Sequence, residues 1–220
     1  MTLRKSLTLI AAIIFATLMH TAQAQAPARR APEPPLPLLF KETWTVTPDS
    51  ELLSQKHVTN PDLLVTVYGN PPDLTSQSGT PHIWTGLCSP ACGVTLKMKD
   101  SYVDLSGTKA HIMWHSRTSG FHAIRPFVKL ADGTLLAGDF ADENPYEYRV
   151  VDFQLAPIRW LVVDPATLAT KGTLLPEVDL SKVDEVGFID LTPGSGHGFG
   201  GYSALGWIEV YAKAVPRSGE

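Results

Sequence analysis

The side chains best suited to catalysis or ligand binding are histidines, carboxylates and aromatic residues in the last two thirds of the chain. Four of them could act as general acids or bases, because imidazole and carboxyl groups exchange protons near neutral pH. They are His115, Asp139, His197 and Glu209. Paired carboxylates are also the groups that cleave glycosides, but distance along a sequence does not measure separation in space. These four remain candidate catalytic residues if the protein is an enzyme.

Gly-rich and nucleophile motifs give weaker signals. Residues 196–201, Gly-His-Gly-Phe-Gly-Gly, match GxGxxG. A strand is predicted on both sides, however, so no helix N-terminus is available for a pyrophosphate. No GxSxG motif is present, which disfavours a serine hydrolase. We interpret 193–202 as a loop between strands, which could present His197 and Tyr202 to a ligand.

The histidines do not form a recognisable metal motif. His111 and His115 lie four residues apart, which on one strand is a separation of about 13 Å, too far for one metal ion. No metal site is predicted.

The N-terminus predicts export. Arg4 and Lys5 precede an apolar stretch of roughly 13 residues, too short for the ~20 that span a bilayer, and Ala22-Gln23-Ala24 follows as a cleavage site. Residues 1–24 are therefore predicted to be a signal peptide, and the protein to be periplasmic or secreted from a bacterium. In such an oxidising compartment the two cysteines, Cys88 and Cys92, are predicted to form a disulfide.

Composition and charge restrict the partners. The chain has 220 residues, a formal net charge of −4 and 44% hydrophobic residues. This gives no reason to expect a nucleic acid partner, and no later segment predicts a membrane anchor. A Pro-rich tether is predicted over 25–38, a single domain over 39–213 and a frayed tail over 214–220. The oligomeric state is not predicted.

An apolar period of two through residues 39–213 predicts about a dozen strands and almost no helix. Asp132-Gly133 marks a hairpin between two of them. The expected fold class is all-β, an antiparallel β-sandwich or barrel. Alternation within each strand gives an apolar face, with Trp114 and Trp160 in the core. It also gives a second face that mixes aromatic with charged residues.

The closing strands resemble a known family. Residues 179–188, Asp-Leu-Ser-Lys-Val-Asp-Glu-Val-Gly-Phe, and 206–211, Gly-Trp-Ile-Glu-Val-Tyr, are similar to the last strands of galactose-binding-like and carbohydrate-binding-module-like jelly rolls. The resemblance implies a jelly-roll sandwich and a carbohydrate ligand. It implies no cofactor, although calcium is a recurrent structural ion in such sandwiches. These domains usually accompany a catalytic domain, and none is predicted here.

The leading hypothesis is that the polar-aromatic face binds a carbohydrate. Sugars stack their C–H faces on aromatic rings and use their hydroxyls for hydrogen bonds. The expected ligand-binding residues are Trp84, His115, Arg125, His197, Tyr202, Trp207 and Glu209. One alternative is a glycoside hydrolase or lyase on the same scaffold. Another is an envelope protein-interaction module, which would show an exposed apolar patch instead.

Overall fold

The computed structural model describes most of the chain after the predicted tether. The described residues are 33–46, 49–76, 80–86, 88, 91–143, 146–175, 177–191 and 200–217. The predicted signal peptide and His197 lie outside these ranges. The described residues from Pro34 onward belong to one compact unit.

The regular secondary structure of the described residues is almost entirely β-strand, as the alternating pattern predicted. In chain order the strands are β1 Leu38–Glu42, β2 Glu51–Leu52, β3 Leu63–Gly69, β4 Asp73–Thr75, β5 His82–Trp84, β6 Cys92–Met98, β7 Ser101–Asp104, β8 His111–Ser119, β9 Ala123–Leu130, β10 Leu135–Gly138, β11 Asp142–Glu143, β12 Arg149–Gln154, β13 Trp160–Val163, β14 Thr170–Leu175, β15 Val183–Asp190, β16 Tyr202–Tyr211 and β17 Lys213–Pro216. A 3₁₀ helix, Gln55–His57, follows β2. Within the described ranges no helix has the length and apolar character needed to cross a bilayer.

These strands pair antiparallel in two sheets. The seven-stranded sheet has the order β12-β8-β16-β5-β4-β2, and β1 also pairs with β16. The ten-stranded sheet has the order β14-β13-β10-β9-β15-β6-β3, with β11 on β9, β7 on β15 and β17 on β7. The predicted fold class, an antiparallel β-sandwich of the jelly-roll type, is confirmed.

The main core lies between the two sheets. Trp114 on β8 packs its ring 4.5 Å from that of Phe153 on β12 and 6.4 Å from that of Phe188 on β15, in the opposite sheet. Trp114 and Trp160, both predicted for the core, are 0% and 3% exposed. Residues that alternate with Trp114 along β8 point to the outer side of the seven-stranded sheet and are only half-buried.

Several strands differ in extent from the sequence prediction. The sequence predicted these two strands over Lys109–His115 and Gly206–Lys213, but β8 continues to Ser119 and β16 already begins at Tyr202, so both carry extra residues onto the sheet. The two- and three-residue strands β2, β4 and β11 were not predicted, because such short segments show no measurable alternation. β14 was also missed, and the predicted tail from residue 214 begins inside β17.

A buried polar network joins the two sheets beside β5. Asp190, at the end of β15, accepts a hydrogen bond of 2.6 Å from the Thr85 hydroxyl, just after β5. His122 Nδ1 lies 2.7 Å from the same carboxylate oxygen. All three side chains are buried, so the network fixes the end of β5 against the ten-stranded sheet.

Candidate functional site

A continuous row of residues crosses the outer face of the seven-stranded sheet. Leu52 on β2 is paired with Asp73 on β4, which is paired with Trp84 on β5. Trp84 is paired with Ala204 on β16, which is paired with Arg117 on β8. Neighbouring strands lie about 4.8 Å apart, so the row extends ~19 Å across the sheet. It begins with an apolar residue and ends with a cation.

An open pocket of about 480 Å³ lies along this row. Its lining combines aromatic rings with hydroxyl, carboxylate, imidazole and guanidinium groups, from Ser50, Asp73, Thr75, His82, Trp84, Arg117 and Tyr202. Two of these, Trp84 and Tyr202, were predicted from the sequence as ligand-binding residues. We call this cavity the polar pocket.

The position of the Trp84 ring depends on a glycine. A Cβ atom placed on Gly86 would lie 2.1 Å from Trp84 Cζ2, so the indole lies directly over the Gly86 backbone. Ile83, the preceding residue, is fully buried on the opposite side of the sheet. The indole is thereby kept on the outer face, where it lines the polar pocket.

Beside the polar pocket, rings and cations stack on one another in a series that we call the ring ladder. Its members, in spatial order, are Lys41, Trp207, His115, Tyr148, Arg117 and Tyr202. Lys41 Nζ lies 4.6 Å from the centre of the Trp207 ring. The His115 ring stacks at 5.9 Å from Trp207 and at 4.7 Å from Tyr148. Trp207, predicted to face a ligand, therefore already has two stacking partners.

The ring ladder ends at the guanidinium of Arg117. Its central carbon lies 4.8 Å from the centre of the Tyr148 ring and 5.1 Å from that of Tyr202. Both separations are within the range of cation–π attraction. Arg117 Nε is buried and makes no hydrogen bond within the described residues. The two rings hold the guanidinium in place at the wall of the polar pocket.

Two histidines near the polar pocket are disposed to remain neutral. Burial lowers the pKa of His115. Burial also lowers the pKa of His82, and the positive charge of Arg117 acts in the same direction. His82 Nδ1 donates to the Thr80 carbonyl at 2.8 Å, so neutral Nε2 is an acceptor. The polar pocket thus receives an acceptor from His82 and donors from Arg117.

Glu209 lies on the same outer face but is engaged by its neighbours. It accepts hydrogen bonds of 2.7 Å from Lys41 Nζ and 2.8 Å from the Tyr211 hydroxyl. Burial acts to raise the pKa of Glu209, but these two hydrogen bonds outweigh it and the pKa is lowered. The carboxylate is therefore held ionised, which suits an ion pair and not a proton donor.

Arg125 does not lie with the other predicted ligand-binding residues, which corrects the expectation that it shares their groove. It is on β9, in the ten-stranded sheet, and is only 6% exposed. Its guanidinium donates to the carbonyls of Leu191 at 2.9 Å and Asp139 at 2.9 Å. Its role in this structure is to bind backbone carbonyl groups.

The three candidate catalytic residues that the structure describes are not brought together. His115 and Glu209 lie on the outer face of the seven-stranded sheet, on the paired strands β8 and β16. Asp139 follows β10 in the ten-stranded sheet, where it accepts a 2.8 Å hydrogen bond from Arg159 Nε. His197 is outside the described residues. The predicted acid–base set is therefore divided between two sheets.

Other predicted features can be located directly. The disulfide between Cys88 and Cys92 is present, with a Cα–Cα distance of 5.5 Å. The described residues contain no group of three or more His, Cys, Asp or Glu that could hold a metal ion. The fully buried carboxylate of Glu42 is instead surrounded by N–H and O–H donors from residues 43–44 and 59–60.

Five residues that line the polar pocket were not predicted from the sequence: Ser50, Asp73, Thr75, His82 and Arg117. Arg117 could have been found, because extending the β8 alternation by two residues places it on the same side as His115. Asp73 and Thr75 lie on the three-residue strand β4, which gave no periodic signal. His82 was within a predicted strand, but the sequence did not indicate which residues lie beside it in the folded protein.

No protein-family profile matches the sequence, and no curated protein matches it significantly. The structure is similar to solved carbohydrate-binding modules. One is a family 11 module of a cellulosomal cellulase from Clostridium thermocellum, with a TM-score of 0.41 and 10% identity over 81% of this chain and 95% of that one. A family 11 module from the same organism, in complex with a β-1,3-1,4-mixed-linked tetrasaccharide, has a TM-score of 0.38 and 12% identity over 73% and 94%. A family 4 module has a TM-score of 0.36 and 14% identity over 69% and 94%.

Proposed function

We propose that this protein binds a carbohydrate in the polar pocket, on the outer face of the seven-stranded sheet. One observation carries the proposal. A single open pocket of about 480 Å³ combines the rings of Trp84 and Tyr202 with the carboxylate of Asp73 and the guanidinium of Arg117. The proposed ligand is an uncharged or weakly charged saccharide.

The chemistry of this lining suits a sugar better than an apolar ligand. A sugar ring presents C–H groups that pack against aromatic faces. Each sugar hydroxyl both donates and accepts hydrogen bonds. An ionised carboxylate such as Asp73 only accepts, whereas the guanidinium of Arg117 only donates. Since the polar pocket offers both, vicinal hydroxyls can be satisfied in pairs.

The pocket is also preorganised. Arg117 is already held between Tyr148 and Tyr202, and Trp84 is placed by its contact with Gly86. Binding then requires little further ordering of side chains, which is one of the main costs of association. The ring ladder supports the site by fixing Arg117, while Trp84 and Tyr202 contact the ligand.

We further propose that the protein acts after export, since residues 1–24 have the three parts of a signal peptide. Binding is the proposed function, and catalysis is not. Of the acid–base candidates, Glu209 is paired with Lys41, and Asp139 is paired with Arg159 in the other sheet.

Affinity gel electrophoresis against a panel of soluble polysaccharides tests the proposal. We expect at least one polysaccharide to retard the protein. Trp84→Ala and Arg117→Ala should each abolish most of that retardation while leaving the circular dichroism spectrum unchanged. Phe140→Ala is the matched control, because Phe140 is a 57% exposed aromatic residue outside the polar pocket. Its variant should be retarded like the original protein.

Two results would contradict the proposal. One is a complete lack of retardation by any polysaccharide, together with a lack of heat in calorimetric titrations with oligosaccharides. The other is retardation that survives the Trp84→Ala and Arg117→Ala changes, which would place the binding site elsewhere.

A further inference from the structure

A second open pocket, of about 310 Å³, adjoins the polar pocket and has a different character. Its walls are mainly apolar, from Leu52, Pro71, Pro72, Trp84 and Cys88, and its polar lining residues are Asn70 and Asp73. We call it the apolar pocket. Leu52 is 57% exposed, so its side chain is accessible to a ligand in the apolar pocket.

The two pockets are continuous. Asp73 and Trp84 line both of them. They are adjacent in the cross-strand row, with Leu52 on the apolar side and Arg117 at the far end. A ligand that contacts Trp84 from the polar pocket therefore has the apolar pocket as its direct extension. Because the two pockets share Asp73 and Trp84, they are close enough for one ligand to occupy both.

The apolar pocket has fixed walls. Gly69, before the Asn70-Pro71-Pro72 segment, has φ of +77°, and a Cβ there would lie 2.2 Å from the Ala91 carbonyl oxygen. Cys92 Sγ lies 3.1 Å from the Asn70 carbonyl oxygen. The disulfide links Cys92 to Cys88, which is itself a lining residue of the apolar pocket. Two successive proline rings further restrict the backbone. The pocket therefore exists before any ligand arrives.

We propose that the ligand is a saccharide carrying an uncharged apolar substituent, either an acyl ester or an aryl group, which occupies the apolar pocket. This rests on the proposed carbohydrate binding in the polar pocket. An unsubstituted sugar unit would bring most of its hydroxyl groups against Leu52, Pro71, Pro72 and Cys88, because Asn70 and Asp73 are the two polar residues among the described lining. An acyl or aryl group instead exchanges water for apolar contact.

Isothermal titration calorimetry with matched probes tests this inference on the full protein. The aryl arm compares methyl and para-nitrophenyl glycosides of glucose, galactose, mannose and xylose. The acyl arm compares native acetylated xylan with the same xylan after saponification. We expect the substituted member of one arm to bind about tenfold more tightly, equivalent to ~1.4 kcal/mol. The arm that shows the gain identifies the substituent.

A substitution in the apolar pocket distinguishes the contributions of the two pockets to the affinity. Leu52→Ser should remove most of the preference for the substituted probe and leave the affinity for the unsubstituted probe unchanged. The matched control is Leu64→Ser, because Leu64 is also an exposed leucine on a strand but lies in the ten-stranded sheet. It should keep the full preference.

The possible negative results separate this inference from the proposed carbohydrate binding. Equal affinity for substituted and unsubstituted probes would overturn this inference while carbohydrate binding stood. A longer unsubstituted xylo-oligosaccharide provides a second check. If added xylose units increase the affinity and Leu52→Ser removes that increase, the apolar pocket is an ordinary sugar subsite and the inference is overturned. Absence of binding to every probe and every polysaccharide would overturn both proposals.

Discussion

At the scale of single residues, the site depends on the contact between Trp84 and Gly86. Among the residues that the structure describes, Trp84 is the aromatic residue that lines both the polar and the apolar pocket. Gly86 has no side chain, which allows the ring to lie against its backbone. The identity of residue 86 therefore determines where the main aromatic contact of the site can be.

We predict that Gly86→Ala weakens carbohydrate binding by about tenfold, or ~1.4 kcal/mol, because the added Cβ displaces the Trp84 ring. Calorimetric titration with a polysaccharide from the panel measures the effect. Gly107→Ala is the control, since the nearest atom to a Cβ there is Leu36 Cδ1 at 3.4 Å. Unchanged binding in Gly86→Ala would show that the ring position is not set by this contact.

We predict that stability falls as the pH decreases from 7 to 5, because the pKa values of His82 and His115 are lowered in the folded protein. The unfolded chain binds protons as the pH falls through about 6.5, while the folded histidines stay neutral. Their contribution is full above that pH and is lost as the pH falls toward the folded-state pKa values. Urea unfolding at several pH values should show a smaller loss in a His82→Gln, His115→Gln variant. An identical loss would assign the pH dependence to other groups.

At the scale of elements, the pairing of β8 with β16 determines which outer residues meet. The register shifts between Leu205 and Trp207, around Gly206. A Cβ on Gly206 would lie 3.1 Å from His115 Nδ1, so glycine allows the imidazole to lie close to the strand. This bulge changes the side that β16 residues face, so that Tyr202 and Trp207 are both on the outer face. The sequence predicted the later part of the strand but not the bulge.

The attachment of β1 also depends on one side chain. Glu42 is fully buried and accepts hydrogen bonds from Trp44 N at 2.7 Å, Thr59 N at 2.9 Å and Asn60 N at 3.0 Å. An amide in its place would present a donor to these donors. We predict that Glu42→Gln lowers the free energy of unfolding by about 1–3 kcal/mol, measured by urea denaturation. Glu177→Gln, at an exposed position, should have no measurable effect. Equal stability of the two variants would contradict this role.

At the scale of the whole molecule, the two outer faces point in opposite directions. Alternation groups the residues of each strand by side, so it assigns Arg125 to one side of β9 and His115 to one side of β8. It did not reveal that these strands belong to different sheets. Arg125 therefore lies on the far side of the sandwich from the polar pocket, and Arg117 is the cation that lines that pocket.

The proposed export also concerns the whole chain, and it makes a direct prediction. Expression of residues 1–220 in a bacterial host should place the protein in the periplasm or the medium with Gln25 as its first residue. N-terminal sequencing after fractionation measures this. Substitution of Ala22 and Ala24 by arginine should block cleavage. Recovery of uncleaved protein from the cytoplasm alone would contradict the prediction.

The sequence by itself determined the features that depend only on residues close together in the chain. Alternating apolar residues specified the strands and hence an all-β sandwich, because a period of two is a property of each segment alone. The same alternation placed Trp114 in the core, and a predicted export signal together with only two cysteines in the chain led to the prediction of the Cys88–Cys92 disulfide.

Only the tertiary structure decided which side chains form the site. Asp73, Trp84 and Arg117 are brought into one row by hydrogen-bond registers between strands that are far apart in the chain. Those registers result from packing the two sheets over a common core, a property of all the strands together. Residue type was therefore enough to predict Trp84 and Tyr202 as ligand-binding residues. The residues that surround them are determined by which sheet each strand joins and by the register of its pairing.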